Sequence, residues 1–258
     1  TRVAIIGDFA KTPRYQGAGS SLVNPAVKPE NILEELEKSE LDVVAYEQGY
    51  IRNRKADNRL IKNAVEVAKL ADVVLIFAGL DEISESEGMD RKNMYMPQGQ
   101  VALINEITTV TKNVVVVLSA GSPMEMQWSA YVSGIVHGYL GGQAGASAMV
   151  NMLTGKVCPS GKLNETYPYY YKDTPAYNYY PSKERSSEYR ESLYVGYRYY
   201  STVGKKVRYP FGYGLSYTTF DCKLVDAAVD GDTIKVHTSV ENTGKVAGSE
   251  VVQIYIHD

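Results

Sequence analysis

Five short apolar runs are spaced along the amino-terminal part of the chain. Each run is nearly continuous in apolar character and rich in valine and isoleucine, which is typical of strands in a parallel sheet that is covered on both faces. The predicted strands are Arg2–Gly7, Leu41–Tyr46, Asp72–Phe77, Val114–Leu118 and Ile135–Tyr139.

Longer segments with helical spacing lie between these strands, with apolar residues three or four positions apart on one face. The predicted helices are Glu30–Lys38, Asn58–Ala71, Gln98–Ile107, Met124–Val132 and Ala144–Leu153. Prolines at 29, 97 and 123 suit the first helical turn, where a missing N–H costs nothing. The alternation predicts an α/β fold: a three-layer sandwich with a mostly parallel sheet and right-handed crossovers.

The pattern changes after Gly155. Tyrosine, proline and glycine then dominate with little periodicity, which indicates a long wrapping connection. From Thr218 the chain shows alternating runs separated by turn signals, at Phe220–Val229, Thr233–Val240 and Glu250–Ile256. We therefore divide the chain into an α/β sandwich (1–165), a wrapping connection (166–217) and a truncated all-β segment (218–258).

Tyrosine is the unusual component of the composition. The chain has 22 Tyr against 4 Phe, and 12 of the tyrosines fall between Tyr167 and Tyr200. Because a tyrosine ring can pack on two surfaces while its hydroxyl reaches water, we interpret this cluster as packing between domains. Stacking against sugar rings is the alternative.

Charge and cysteine content exclude several classes of protein. With 27 Lys and Arg against 30 Asp and Glu, the net charge is −3, which argues against a nucleic-acid or membrane-surface partner. The two cysteines form neither a disulfide framework nor a zinc pattern, so we expect no metal and no cofactor. Both ends lie inside strand-like runs, which indicates a piece of a longer polypeptide. The compartment stays unknown.

An acidic loop follows the third predicted strand and holds five carboxylates within residues 81–90. Ligands of open α/β sheets bind outside the carboxyl ends of the strands, where this loop lies. Crowded carboxylates raise one another's pKa, and a carboxyl that is protonated near neutral pH can act as a general acid. A solvated acidic loop without function is the alternative.

Residues 8–21, after the first strand, contain Gly17 and Gly19. These glycines come too late for a dinucleotide-binding fingerprint, and the residues after them do not open a helix. The chain also lacks the GxSxG elbow of serine hydrolases. We expect this loop to form a polar wall of a cleft.

Five motifs, in order, resemble the second domain of glycoside hydrolase family 3. They are PRYQGAGSSLVNP at Pro13–Pro25, ESEGMDRKNMYMPQGQ at Glu85–Gln100, PSGKLNETYP at Pro159–Pro168, YVGYRYY at Tyr194–Tyr200 and YPFGYGLSYTTF at Tyr209–Phe220. The resemblance implies a six-stranded (α/β)6 sandwich followed by a fibronectin type III-like domain, of which only the first strands are present.

The resemblance also implies a divided active site. In that family a (β/α)8 barrel supplies an aspartate nucleophile, and the sandwich domain delivers the general acid/base on a loop. Glu87 matches the acid/base position and Glu85 is the second candidate. A retaining glycosidase needs two carboxyls about 5–5.5 Å apart, which a loop from a neighbouring domain can provide. No barrel and no SDW-type nucleophile motif occur in this chain.

Four other residues receive roles, two from the same resemblance and two from their chemistry. Gln16 and Ser20 match a segment that borders the leaving-group side of the cleft, so we expect them to contact substrate. Asp90 and Arg91 are better suited to support the loop, because an arginine beside a carboxylate favours its ionised form.

The resulting hypothesis is a fragment of a retaining β-glycosidase, with β-glucosidase as the leading expectation, that hydrolyses terminal non-reducing β-D-glucosyl residues. Its expected partners are β-linked glucosides or oligosaccharides and the missing barrel of the same polypeptide. Alone, the fragment is expected to be inactive. The alternative function is a non-catalytic carbohydrate-binding or scaffold module.

Overall fold

Five parallel strands form one sheet in the amino-terminal part of the chain. The computed structural model describes residues 1–257. The strands are β1 (Arg2–Ile6), β2 (Asp42–Glu47), β3 (Val73–Gly79), β4 (Val114–Ser119) and β5 (Gly134–His137), in the order β2-β1-β3-β4-β5. All five strands were predicted from the apolar runs. Because β1, β3 and β4 bury nearly every residue, their runs are continuous rather than alternating.

Helices cover the two faces of this sheet. They are α1 (Asp8–Lys11), α2 (Ile32–Leu36), α3 (Asn58–Ala68), α4 (Gln98–Val110) and α5 (Gly145–Leu153), and a later helix, α6 (Tyr197–Thr202), lies in the wrapping connection. Short 3₁₀ turns occupy Gln127–Tyr131 and Tyr171–Asp173. Within residues 1–257, none of the helices combines the length and apolar character that a membrane crossing requires.

Several helices differ from the sequence expectation. Helix α2 begins at Ile32 and not at Glu30, because the Asn31 side chain caps it by accepting a hydrogen bond from the Glu34 N–H at 3.0 Å. The segment predicted as a helix from Met124 is a 3₁₀ turn, since Glu125 is already engaged in an extended bridge with Tyr95. The short helices α1 and α6 were not predicted.

The sixth strand implied by the resemblance is missing from the sheet over the described residues. The stretch that follows α5 pairs with the wrapping connection instead of with β5. The Leu163 N–H donates to the Tyr213 carbonyl at 2.8 Å, and the Tyr167 N–H donates to the Tyr209 carbonyl at 2.8 Å. These bonds satisfy backbone groups that a sixth strand would need for the sheet.

The carboxyl-terminal part forms a single antiparallel hairpin, β6 (Phe220–Asp230) with β7 (Thr233–Asn242). The third predicted strand, Glu250–Ile256, does not form within the described residues. Its side chains attach it to residues that precede the hairpin instead: Lys162 pairs with Glu250 at 2.8 Å, and the Gln253 amide donates to the Gly212 carbonyl at 3.1 Å. The hairpin alone does not make a β-sandwich.

The strand order places a crevice at one edge of the sheet. From β1 the chain crosses to β2 on one side and afterwards to β3 on the other, so the direction of winding reverses between β1 and β3. Loops that leave the carboxyl ends on either side of such a reversal diverge and leave room for a ligand. The loops after β1 and β3 are the two that sequence analysis singled out.

Candidate active site

The acidic loop and the loop after β1 pair with each other above the crevice. Ala18 and Ser86 form a parallel bridge, and the Glu87 N–H donates to the Ala18 carbonyl at 3.3 Å. This pairing brings together two segments that lie about 70 residues apart in sequence. Three of the predicted site residues, Ser20, Glu85 and Glu87, therefore meet at one edge of the sheet.

Glu87 is exposed at the tip of the acidic loop. The Ser20 N–H donates to its Oε2 at 2.6 Å, and Gly88 with φ +74° turns the chain directly after it. Hydrogen bonds from the Ser20 hydroxyl and the Ser20 N–H hold the pKa of Glu87 below its ordinary value. In this chain Glu87 is a solvent-facing carboxylate.

Glu85 is anchored inside the loop, in contrast to Glu87. Its side chain is 9 % exposed and pairs with Arg14, whose side chain is 1 % exposed. The Gly121 N–H donates to Glu85 Oε2 at 2.9 Å, and the Ser122 hydroxyl donates to Oε1. Burial by itself raises the pKa of Glu85, but these hydrogen bonds and the Arg14 cation outweigh it and lower the pKa. Glu85 therefore ties together the loops that follow β1, β3 and β4.

The remaining loop residues make contacts at the downstream end. Arg91 Nη1 donates to the Ser122 hydroxyl at 2.7 Å and to the Pro123 carbonyl at 3.0 Å. Asp90 is exposed and accepts a hydrogen bond from the Tyr180 hydroxyl at 2.8 Å. Both residues thus connect the acidic loop to other parts of the chain.

Gln16 uses its side chain within its own loop. Its amide nitrogen donates to the Val23 carbonyl at 3.0 Å, and its amide oxygen accepts from the Val23 N–H at 3.0 Å. This double contact closes the loop around Ser20. A role of Gln16 or Ser20 in binding substrate stays a prediction.

A cavity of about 530 Å³ opens beside these residues. Its walls include Arg14, Glu85, Met89, Arg91, Tyr171 and Tyr180. It thus combines the charged side chains of Arg14, Glu85 and Arg91 with two aromatic rings of the wrapping connection.

Several residues of this region were missed by the sequence analysis. Arg14 lies in the loop after β1 that was expected to form a polar wall, and Ser122 lies in the loop after β4, which received no role. The signal for both was their place in loops that follow parallel strands. Glu165 gave no signal. It is partly buried, and burial and the charge of Glu85 raise its pKa to about 7, against the lowering effect of Arg91.

Replacing Gly19 with alanine is expected to displace Glu87. Gly19 has φ +94°, and a Cβ built there would lie 2.5 Å from the Glu87 Cβ and 2.8 Å from its Oε2. The backbone strain of such a residue costs about 1–2 kcal/mol, and the clash adds to it. We expect a larger loss of unfolding free energy in urea than strain alone gives, and a higher Glu87 pKa by NMR once the Ser20 contact is broken.

Gly88→Ala provides the matched control. Gly88 also has a positive φ, +74°, but a Cβ there meets nothing within 4 Å. The Gly88→Ala variant therefore has the backbone strain without the clash. Equal losses for the two variants would show that Gly19 does not hold Glu87 in place.

Known proteins resemble this chain over nearly its whole length. A model of the glycosyl hydrolase family 3 C-terminal domain matches residues 1–217. Thermostable β-glucosidase B of Acetivibrio thermocellus is 44 % identical over 263 residues, covering 99 % of this chain and 35 % of the relative. An exo-α-(1→6)-L-arabinopyranosidase of Bifidobacterium longum is 44 % identical over 259 residues, covering 99 % of this chain and 34 % of the relative.

A solved structure agrees with these relatives. The family 3 β-glucosidase of Bifidobacterium adolescentis superimposes with a TM-score of 0.89 and 44 % identity, covering 96 % of this chain and 36 % of that protein. The chain thus spans about a third of the length of the relatives it matches. Since the family model covers most of the sequence and the fold agrees, the chain belongs to glycosyl hydrolase family 3, whose C-terminal domain it contains over residues 1–217.

Proposed function

We propose that this chain supplies the general acid/base of a retaining β-glycosidase, and that a (β/α)8 barrel elsewhere in the same polypeptide supplies an aspartate nucleophile. The observation that carries this proposal is Glu87 itself, an exposed carboxyl at the tip of a loop whose base is fixed by the buried Glu85–Arg14 pair. An exposed carboxyl on a firmly held loop can enter a cleft that a second domain completes.

The proposed reaction has two steps. Glu87, protonated, donates its proton to the leaving glycosidic oxygen while the barrel aspartate attacks the anomeric carbon and forms a glycosyl-enzyme. Glu87, now ionised, then takes a proton from water as that water attacks the anomeric carbon and releases the aspartate. The sugar is released with its original anomeric configuration, and Glu87 is protonated again.

Protonation of Glu87 requires the second domain. In this chain Ser20 lowers the Glu87 pKa and favours the carboxylate. A neighbouring ionised aspartate would raise that pKa by repulsion, and loss of water around Glu87 would raise it because the carboxylate is less well solvated. We therefore expect the acid form at neutral pH only in the complete cleft.

The surrounding residues support this division of roles. Glu85 is buried, paired and low in pKa, so we assign it to anchoring the loop rather than to proton transfer. Arg91 and Asp90 support the loop from its downstream end. Gln16 and Ser20 flank Ala18, which pairs with the acidic loop, and we expect them to border the leaving group.

The proposed substrates are β-linked glucosides or oligosaccharides with a terminal non-reducing β-D-glucosyl residue. Two of the relatives are named β-glucosidases and one is named an exo-α-(1→6)-L-arabinopyranosidase, so a panel of terminal pyranosides is the appropriate test set. We also propose that residues 218–258 begin a fibronectin type III-like domain that follows the sandwich (1–165) and the wrapping connection (166–217).

The complete polypeptide tests this proposal. It is expected to hydrolyse aryl β-D-glucosides with retention, observed by NMR of the first-formed sugar, whereas the 258-residue chain alone hydrolyses none. Turnover by the purified 258-residue chain would overturn the divided site. Sugar binding without hydrolysis by the complete polypeptide would favour a carbohydrate-binding module.

A further inference from the structure

The wrapping connection (166–217) holds the downstream end of the acidic loop through a series of hydrogen bonds. The Tyr180 hydroxyl donates to Asp90 Oδ1 at 2.8 Å, and the Tyr171 hydroxyl donates to the Tyr180 carbonyl at 3.2 Å. The Tyr171 N–H donates to Glu125 Oε1 at 2.9 Å. Two tyrosines thus join an exposed loop residue to a carboxylate that is 7 % exposed.

Glu125 also contacts the segment that follows the acidic loop. Its N–H donates to the Met94 carbonyl at 2.7 Å, while its second carboxylate oxygen accepts from the Gln127 amide at 2.9 Å. Asp90, Tyr180, Tyr171, Glu125 and Met94 therefore form a closed ring through residues 90–94. A closed ring restrains each member more than a single contact would, because opening one bond leaves the others in place.

Glu87 lies between two such attachments. Upstream, Glu85 is fixed by Arg14, Gly121 and Ser122. Downstream, Asp90 is fixed by Tyr180. The tip between them contains Glu87 and the exposed Met89, and Glu87 itself contacts Ser20 and Ala18 of the loop after β1.

We infer that Tyr180 is a positioning residue for the general acid/base: its hydroxyl holds Asp90 and thereby fixes the direction in which Glu87 enters the cleft. The wrapping connection is then a working part of the site and not only packing between domains. The hydrogen bond to Asp90 also raises the pKa of Tyr180, as expected for a phenol that donates to a carboxylate. The catalytic consequence depends on the proposed function, whereas the effect on loop order does not.

Tyr180→Phe in the full-length polypeptide tests this inference. It removes the hydroxyl and keeps the ring in the cavity wall. Hydrogen exchange of backbone amides in residues 86–91 is expected to accelerate about three- to tenfold, the factor of an ordinary protein hydrogen bond. kcat for an alkyl β-D-glucoside is expected to fall by a similar factor with KM unchanged. kcat/KM for 2,4-dinitrophenyl β-D-glucoside, whose leaving group needs no proton, reports on formation of the glycosyl-enzyme and is expected to stay unchanged.

Tyr177→Phe is the matched control. Tyr177 lies in the same connection, and its ring centroid is 5.0 Å from that of Tyr171. The Tyr177→Phe variant also loses one phenolic hydroxyl, but it leaves the Tyr180–Asp90 hydrogen bond in place. Asp90→Asn is the conservative variant: its amide oxygen still accepts a hydrogen bond from the Tyr180 hydroxyl, so it is expected to keep most of the order that Asp90→Ala loses.

The two levels of the inference fail separately. Unchanged exchange in Tyr180→Phe, or the same acceleration in Tyr177→Phe, would overturn the positioning role whatever the enzyme does. If Glu87→Gln leaves hydrolysis intact while Tyr180→Phe loosens the loop, the proposed function is wrong and the Tyr180–Asp90 attachment stands.

Discussion

Glu87→Gln in the full-length polypeptide is expected to lower the turnover of alkyl and oligosaccharide β-glucosides by about 10²–10⁴-fold, the usual contribution of general acid/base catalysis. Glutamine keeps the shape of the side chain and its contact with the Ser20 N–H, so the loop should stay in place. What it lacks is the proton for the leaving oxygen and the base for the attacking water.

The leaving group separates these two defects. The 2,4-dinitrophenolate of an aryl glucoside leaves without protonation, so kcat/KM for this substrate should be almost unchanged in Glu87→Gln. Its kcat should fall, because hydrolysis of the glycosyl-enzyme lacks its general base. Azide attacks the glycosyl-enzyme without needing deprotonation. We expect added azide to restore turnover of the activated substrate and to yield glycosyl azide.

Two other loop carboxylates serve as comparisons. Glu82 is exposed and lies 3.6 Å from Arg52, so Glu82→Gln should leave the turnover of every substrate unchanged. Glu85→Gln should disturb the loop and lower turnover, and added azide should not restore that turnover. Azide rescue of Glu85→Gln in place of Glu87→Gln would transfer the acid/base role to Glu85.

Arg14→Met is expected to destabilise the 258-residue chain by about 3–5 kcal/mol at neutral pH, because it leaves a buried carboxylate without its cation. The Glu85 side chain is 9 % exposed and cannot turn to water without opening the loop. Arg14 also donates to the Leu80 carbonyl at 2.8 Å, and this buried acceptor loses its partner as well. Urea unfolding at pH 7 measures the loss.

The pH dependence identifies Glu85 as the cause. In the native chain the folded pKa of Glu85 lies below its ordinary value of 4.5, so its contribution to stability is present above that pH and is lost as the pH falls. In Arg14→Met, burial without the cation raises this pKa, and protonation relieves the cost. The difference between the two proteins should therefore shrink as the pH is lowered toward about 4.5.

Arg2→Met is the control for this variant. Arg2 pairs with Asp72 at 3.0 Å, but the two side chains are 56 % and 49 % exposed, so the loss should be no more than about 1 kcal/mol. The double variant Arg14→Met with Glu85→Gln should recover part of the stability. Equal losses for Arg14→Met and Arg2→Met would contradict the assignment of Glu85 as a buried anchor.

The sheet could be predicted from sequence because its signal is local. All five strands carry apolar runs, and in β1, β3 and β4 these runs are nearly continuous, as expected of strands covered on both faces. The errors arose where a distant partner decides the conformation. Glu125 bonds with Met94 and keeps its segment from starting as a helix, and Tyr167 pairs with Tyr209 in place of extending the sheet.

The candidate site was predicted only in part for the same reason. The carboxylates after the third strand and the loop after the first strand could be placed at the carboxyl edge of the sheet by a general rule. Which carboxylate is buried could not, because Glu85 and Glu87 are two residues apart in an acidic stretch with no periodicity. Their different environments come from Arg14 and Ser20, which the sequence does not mark as partners.

The sequence by itself therefore determined the α/β class, the five strands and the two loops at their carboxyl ends, since apolar periodicity and strand-following loops are properties of neighbouring residues. The tertiary structure decided that Arg14 holds Glu85 across 71 positions and that Tyr180 holds Asp90 across 90. Such contacts depend on strand order and on the path of the wrapping connection, which bring distant residues together. Their geometry separates an ionised anchor from an exposed carboxyl at the loop tip.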